Sequence, residues 1–112
     1  MKYEEFTLAN KTRCEALEGF NHRISSWSES DWLIAVLGEL GELANVVKKL
    51  NRVRDGVPGN RETEAQLCAM AVDELADTFV YLDLLSWRLG VDMMEAVSRK
   101  FDEVSKRIGY CK

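Results

Sequence analysis

The sequence predicts an all-α fold, and three observations carry that reading. The 112 residues include one proline and seven glycines, so long helices have room to run. Apolar residues recur at three- and four-residue spacing in four segments. No stretch shows the alternation that marks a half-buried strand.

The elements follow in chain order. Phe6, Leu8, Ala9, Cys14, Ala16, Leu17 and Phe20 keep helical spacing, and Asn21 and His22 close a first helix over about 3–20. In the polar stretch NHRISSWSES, Ser28 followed three residues later by Asp31 resembles a capping box, and a second helix runs over about 30–53. Residues 55–61, DGVPGNR, hold the only proline and two glycines and form the one clear loop. A third helix over about 62–89 stops at Gly90. Asp92 with Glu95 caps a fourth, over about 92–108. With no repeat and no low-complexity segment, 1–112 reads as a single four-helix domain.

Composition removes several classes of function. At a net charge of −4 the chain has no basic field to hold a nucleic-acid polymer or an anionic membrane. The start, MKYEEFTLANK, is too charged for a secretory signal, and no apolar run approaches the roughly 18 residues of a membrane span. Cys14, Cys68 and Cys111 are odd in number, far apart and without a CxxC pair, which argues against a disulfide framework or structural zinc. They read as structural, with no neighbouring base to make a nucleophile. The expectation is a cytoplasmic protein.

The chemistry concentrates in LGELGEL, residues 37–43. At about 100° per residue, Leu33, Val36, Leu37, Leu40, Leu43, Ala44 and Val47 form a wide apolar arc on the second helix. Glu39 lies at its margin and Glu42 a little further round. On the third helix, Glu74 falls near the middle of a stripe made by Leu67, Met70, Thr78, Tyr81 and Leu85, with Asp77 one helical step away. An ionised carboxylate buried without a partner is costly, so such groups are paired, protonated or bound to metal.

A single ExxE is usually solvated, or paired with bases such as Lys48, Lys49, Arg52 and Arg54. Two acid pairs on consecutive helices favour a metal. Residues three apart project side by side, and an antiparallel helix pair brings Glu39 and Glu42 to face Glu74 and Asp77. The all-oxygen set suits Mg²⁺, with Mn²⁺ as a substitute. A di-iron bundle would need ExxH pairs, and the only histidine, His22, lies outside the region and reads as a surface or helix-end residue.

Four carboxylates around Mg²⁺ imply phosphate chemistry, in which the cation bridges phosphate oxygens and acidifies the attacking water. Bases should hold the rest of the substrate. Lys49 follows Glu42 on roughly the same side of its helix, and Lys100 and Arg107, seven apart, share a face of the fourth. Trp27 and Trp32 either stack on a base or seal a helix junction, and Trp32 is the better substrate candidate because it begins the acid-bearing helix. Met70, Met93 and Met94 read as packing residues.

These residues resemble the MazG-like all-α nucleoside triphosphate pyrophosphohydrolases. The likeness covers most of the chain: DWLIAVLGELGELANVVKKLNR, RDGVPGN, DELADTFVYLDLL and SRKFDEVSKRIGY. The family's motif is EExxE, a spacer and ExxD; Glu39 and Glu42 match its second and third acids, and Glu74 and Asp77 its last two. Gly38 stands in place of the first acid, a departure shared with related dCTP-preferring members.

The resemblance implies cleavage of nucleoside triphosphates between the α- and β-phosphates, with Mg²⁺ required. It implies phosphate-binding roles for Lys100 and Arg107, although Val104 and Ser105 depart from the asparagine or base often found there. Tyr81 matches an aromatic position near the base. It also implies a bundle completed as a homodimer or homotetramer.

The expected function is therefore a Mg²⁺-dependent nucleotide pyrophosphohydrolase that clears non-standard or excess nucleotides, with a dCTP-type preference in view. One alternative is a dUTPase-like all-α hydrolase. The other is a non-catalytic helical interaction protein whose acids form interface ion pairs.

Overall fold

The computed structural model describes residues 1–111. Helix α1 spans Tyr3–Glu15, a single 3-10 turn spans Ile24–Ser26, and α2, α3 and α4 span Glu29–Asp55, Glu64–Leu89 and Met93–Arg107. There is no strand among the described residues. The four expected helices are all present.

Their starts are set by side-chain caps. Ser28 Oγ accepts from the Asp31 amide at 3.2 Å while the Asp31 carboxylate accepts from the Ser28 amide at 3.0 Å, a complete capping box for α2. Thr63 and Gln66 form a second box, which starts α3 at Glu64, two residues after the expected position. At the other end of α3, Gly90 takes the left-handed conformation (φ 69°) that lets its amide close the last turn.

The first helix ends sooner than its apolar spacing implies. Ala16 is already extended (ψ 142°), and residues 16–20 turn back on α1. The reversal is tight at Gly19, where a Cβ would lie 2.0 Å from the Arg13 carbonyl oxygen. His22 then donates its amide to the Cys14 carbonyl at 2.8 Å, and the Glu15 carboxylate accepts from the Ile24 amide at 3.1 Å. These tertiary bonds outweigh the helical pattern of Ala16, Leu17 and Phe20.

Helices α2 and α3 form an antiparallel pair. Glu29 meets Arg88, Trp32 meets Tyr81 and Lys49 meets Glu62, so contacts step along the two helices in opposite senses. The inward positions of α2 are Trp32, Val36, Glu39, Leu43, Val46 and Leu50; those of α3 are Leu67, Ala71, Glu74, Thr78, Tyr81 and Leu85. Both sets follow the three-and-four spacing of a helix–helix seam. Glu39 therefore lies in the middle of the packed face, not at the margin of an apolar arc. Leu33, Leu37, Leu40 and Val47, the bulk of the expected arc, are exposed in the single chain, because α3 covers the neighbouring stripe.

Helix α1 packs on a second face of α3, and Trp32 joins them. Its ring is buried with Cys14, Ile24 and Leu84, and its indole N–H donates to the Ile24 carbonyl at 2.9 Å. Trp32→Phe leaves that carbonyl only the long 3.5 Å bond from the Trp27 amide and opens a small void, so it should destabilise the chain by about 1–3 kcal/mol. Urea unfolding measures this; an unchanged midpoint would mean that the junction does not anchor the 27–32 segment.

Helix α4 makes no substantial packing contact with α1, α2 or α3. The radius of gyration is accordingly 17.7 Å, against about 13 Å for a compact domain of this length. No helix among the described residues is long and apolar enough to cross a membrane.

Candidate metal centre

Because Glu39 and Glu74 occupy facing seam positions, their carboxylates are held toward each other at mid-height of the α2–α3 pair. Asp77, one turn after Glu74, completes a group in which one oxygen from each residue lies within 4.8 Å of the others. One oxygen on each glutamate, Oε2, is buried and has no hydrogen-bond partner. Buried acceptors without donors are rare in folded proteins. Among the described residues no lysine or arginine is paired with these acids; Lys49 of α2 is bound to Glu62 at 2.6 Å.

The electrostatics follow from this crowding. Burial, reinforced by the Glu42 and Asp77 carboxylates, raises the Glu39 pKa above the usual range. Burial, with the Glu42, Asp77 and Glu39 carboxylates crowded beside it, raises that of Glu74. Glu42 itself is exposed at the edge of the cluster. Three or four oxygen donors with excess negative charge are the chemistry a hard divalent cation satisfies, so the residues fit Mg²⁺ or Mn²⁺.

A glutamate whose folded pKa lies above its unfolded value of 4.5 keeps a proton that the unfolded chain releases. Stability therefore falls as pH rises from that value through the raised one. A cation that replaces the proton restores what is lost. Mg²⁺ or Mn²⁺ should thus raise the Tm near neutral pH and have little effect near pH 4.5. Thermal melts at both pH values check this; equal shifts would place cation binding elsewhere.

Glu39 and Asp77 also border a cleft of about 460 Å³. Its aromatic wall is built from the chain reversal after α1: the His22 ring lies 4.6 Å from Trp27 and 5.5 Å from Trp32, with Trp27 and Trp32 4.7 Å apart. Tyr81 of α3 faces Trp32 at 6.5 Å. Arg88 holds this wall in place, donating to the Trp27 carbonyl at 2.7 Å and pairing with Glu29 at 3.0 Å. Acids and flat rings thus share one opening.

No family model and no solved structure matches the chain. Three curated proteins do. Over 89 residues it is 33% identical to dCTP pyrophosphatase 1 of Rattus norvegicus, covering 71% of this chain and 51% of that protein. The Mus musculus protein of the same name gives the same identity and coverage. The Homo sapiens one is 34% identical over 84 residues, or 67% of this chain and 48% of that protein.

The chain is a MazG-like relative of the dCTP pyrophosphatases. It spans about half the length of the curated relatives it matches.

In this MazG-like chain the structure gathers Glu39, Glu74 and Asp77, with Glu42 at their edge and Tyr81 and Trp32 alongside. Trp32 is 2% exposed and engaged in the core, whereas Trp27 keeps an open face. The bases stand apart. Lys49 is held by Glu62 toward the loop end of α2, and Lys100 is paired with Glu103 of its own helix at 3.4 Å. Arg107 is exposed on α4. Gly38 has open space where a side chain would begin, so the cluster forms without an acid there.

Sequence reasoning did not single out Asn10 and Arg13, which line the cleft. Asn10 is a polar residue on the buried stripe of α1, next to Cys14, and that position was the available signal. Arg13 left none, because it reads as an exposed base in the last turn of a helix.

Proposed function

We propose that the chain is a divalent-cation-dependent nucleoside triphosphate pyrophosphohydrolase, splitting its substrate into a nucleoside monophosphate and pyrophosphate. The observation that carries this reading is the convergence of Glu39, Glu74 and Asp77 at the mouth of an aromatic cleft. The dCTP pyrophosphatase likeness supports the same activity.

Glu39, Glu74 and Asp77, with Glu42 beside them, would hold Mg²⁺. A cation bound there would neutralise phosphate charge and favour attack of water on the α-phosphorus. One of these carboxylates would receive the proton the water loses. Pyrophosphate leaves with the electron pair of the broken P–O bond. The base stacks among Trp27, His22 and Tyr81, where a flat ring finds π-faces, while Trp32 supports that wall. Arg13 adds a cation at the rim of the cleft.

Lys100 and Arg107 complete the phosphate site from a neighbouring copy. The chain has the surface for such an assembly: Ile34, Leu37 and Leu40 on α2, Val72 and Phe79 on α3, and Val97 and Phe101 on α4 are exposed. Apolar surface on this scale marks an interaction face. A homodimer or homotetramer would bury it and seat α4. Lys49, engaged by Glu62, would serve the phosphates only after releasing that partner.

The biological role that fits is removal of non-standard or excess nucleotides. Purified protein incubated with each dNTP and Mg²⁺ should release pyrophosphate and no orthophosphate. Fastest turnover of dUTP would favour the dUTPase-like alternative, and no release from any nucleotide would leave the helical interaction protein.

A further inference from the structure

Two buried polar residues, Asp83 and Asn10, take no part in the reaction outlined above. Asp83 is 2% exposed and Asn10 4%. Asp83 accepts at Oδ1 from the Tyr3 hydroxyl at 2.8 Å and from Thr7 Oγ1 at 2.7 Å. At Oδ2 it accepts from Asn10 Nδ2 at 3.0 Å, and the same Nδ2 donates to the Val80 carbonyl, also at 3.0 Å.

This arrangement leaves the Asn10 amide one orientation. A carboxylate and a backbone carbonyl are both acceptors, so only the NH₂ side of the amide can face them. Its Oδ1 accepts no side-chain hydrogen bond among the described residues, and it is not among the sealed, partnerless oxygens. Asn10 and Val80 line the aromatic cleft beside Tyr81. A cleft-lining residue therefore carries an acceptor oxygen that no protein side chain uses.

We propose that Asn10 is a specificity-determining residue of the cleft, held by Asp83 so that its Oδ1 accepts a hydrogen bond from an amino group on the base edge. The proposal rests on the reading of the cleft as a nucleotide site. Cytosine and adenine carry an amino group where uracil, thymine and guanine carry a carbonyl oxygen. An oxo base sets oxygen against oxygen and leaves two acceptors unpaired, which a site built around a hydrogen bond rejects. Asp83 acts only through Asn10, as a positioning residue, with Tyr3 and Thr7 holding its other oxygen.

The test compares kcat/KM for dCTP and dUTP, and for dATP and dGTP. The wild type should favour the amino base by about tenfold or more, the factor one hydrogen bond carries. Asn10→Ala should bring the ratio close to one. In Asp83→Asn the new amide can donate to Asn10 Oδ1, freeing the Asn10 NH₂ to turn toward the cleft, and the ratio should fall or invert toward dUTP. If Asp83 merely ties α1 to α3, its loss would lower stability and slow both substrates alike.

Folded variants that keep the wild-type ratio would overturn the proposal. Should neither variant fold, the wild type decides: equal rates on both members of each pair overturn it with no variant needed. Hydrolysis without discrimination sinks only this proposal, whereas no hydrolysis of any dNTP sinks the underlying activity and the proposal with it.

Discussion

Glu74→Gln should lower pyrophosphate release from every nucleoside triphosphate by more than about 100-fold while leaving the chain folded. Loss of an outer-shell partner at a metal site already costs roughly 10–100-fold, and Glu74 is placed to touch the cation itself. Glutamine keeps the shape of the side chain and its place in the seam opposite α2. It removes a carboxylate whose ionisation burial and the neighbouring acids disfavour, so the cation-free variant should melt higher than the wild type. Activity lost together with stability gained is the signature of a site maintained at the expense of the fold. Turnover assays paired with thermal melts read both halves. A variant that stays active, or one that melts lower, would identify Glu74 as a structural residue.

Phe101→Glu should convert the proposed homo-oligomer to single chains and abolish turnover with it. Met94, Val97, Phe101 and Val104 form one stripe of α4, against which none of the other helices packs substantially. Lys100 and Arg107 flank that stripe, so whatever covers it also fixes where these bases point. A charge in the middle of an apolar contact is strongly unfavourable. Size-exclusion chromatography checks the assembly. Lys100→Ala is the control, since it should stay assembled and lose activity only through phosphate binding. A monomeric Phe101→Glu protein with full activity would show that the site is complete within one chain.

The helices and much of the site are legible in the sequence because both rest on local rules. Ser28 and Asp31 announce α2 through a bond between near neighbours, and Glu74 stands out because Leu67, Met70, Tyr81 and Leu85 surround it on one helical stripe. Glu39 was harder to place. The side chains that weight the helical wheel of α2, Leu33, Leu37 and Leu40, face away from α3 within the chain, so hydrophobicity alone identified the wrong stripe as the seam. Which face a helix turns to its neighbour depends on the partner, and here one strongly apolar face has no partner in the same chain. The early end of α1 and the Asn10–Asp83 pair were out of reach for a related reason. Each depends on contacts between residues far apart in sequence, the latter spanning 73 positions.

The seam that joins α2 and α3 has a further consequence for motion. The one extensive helix–helix contact of the chain has its acids at mid-height, flanked by the Trp32–Tyr81 contact on one side and the Lys49–Glu62 pair on the other. Mutual repulsion works there to part the helices, while both ends hold them shut. Local opening should therefore begin in the middle of the pair, and amide hydrogens around 39–42 and 74–77 should exchange with solvent ahead of those near Trp32 and Leu67. A cation held by these acids would slow that exchange. A substrate that arrives with its cation would then rigidify the wall of its own cleft as it binds, so that tightening of the helix pair becomes part of recognition.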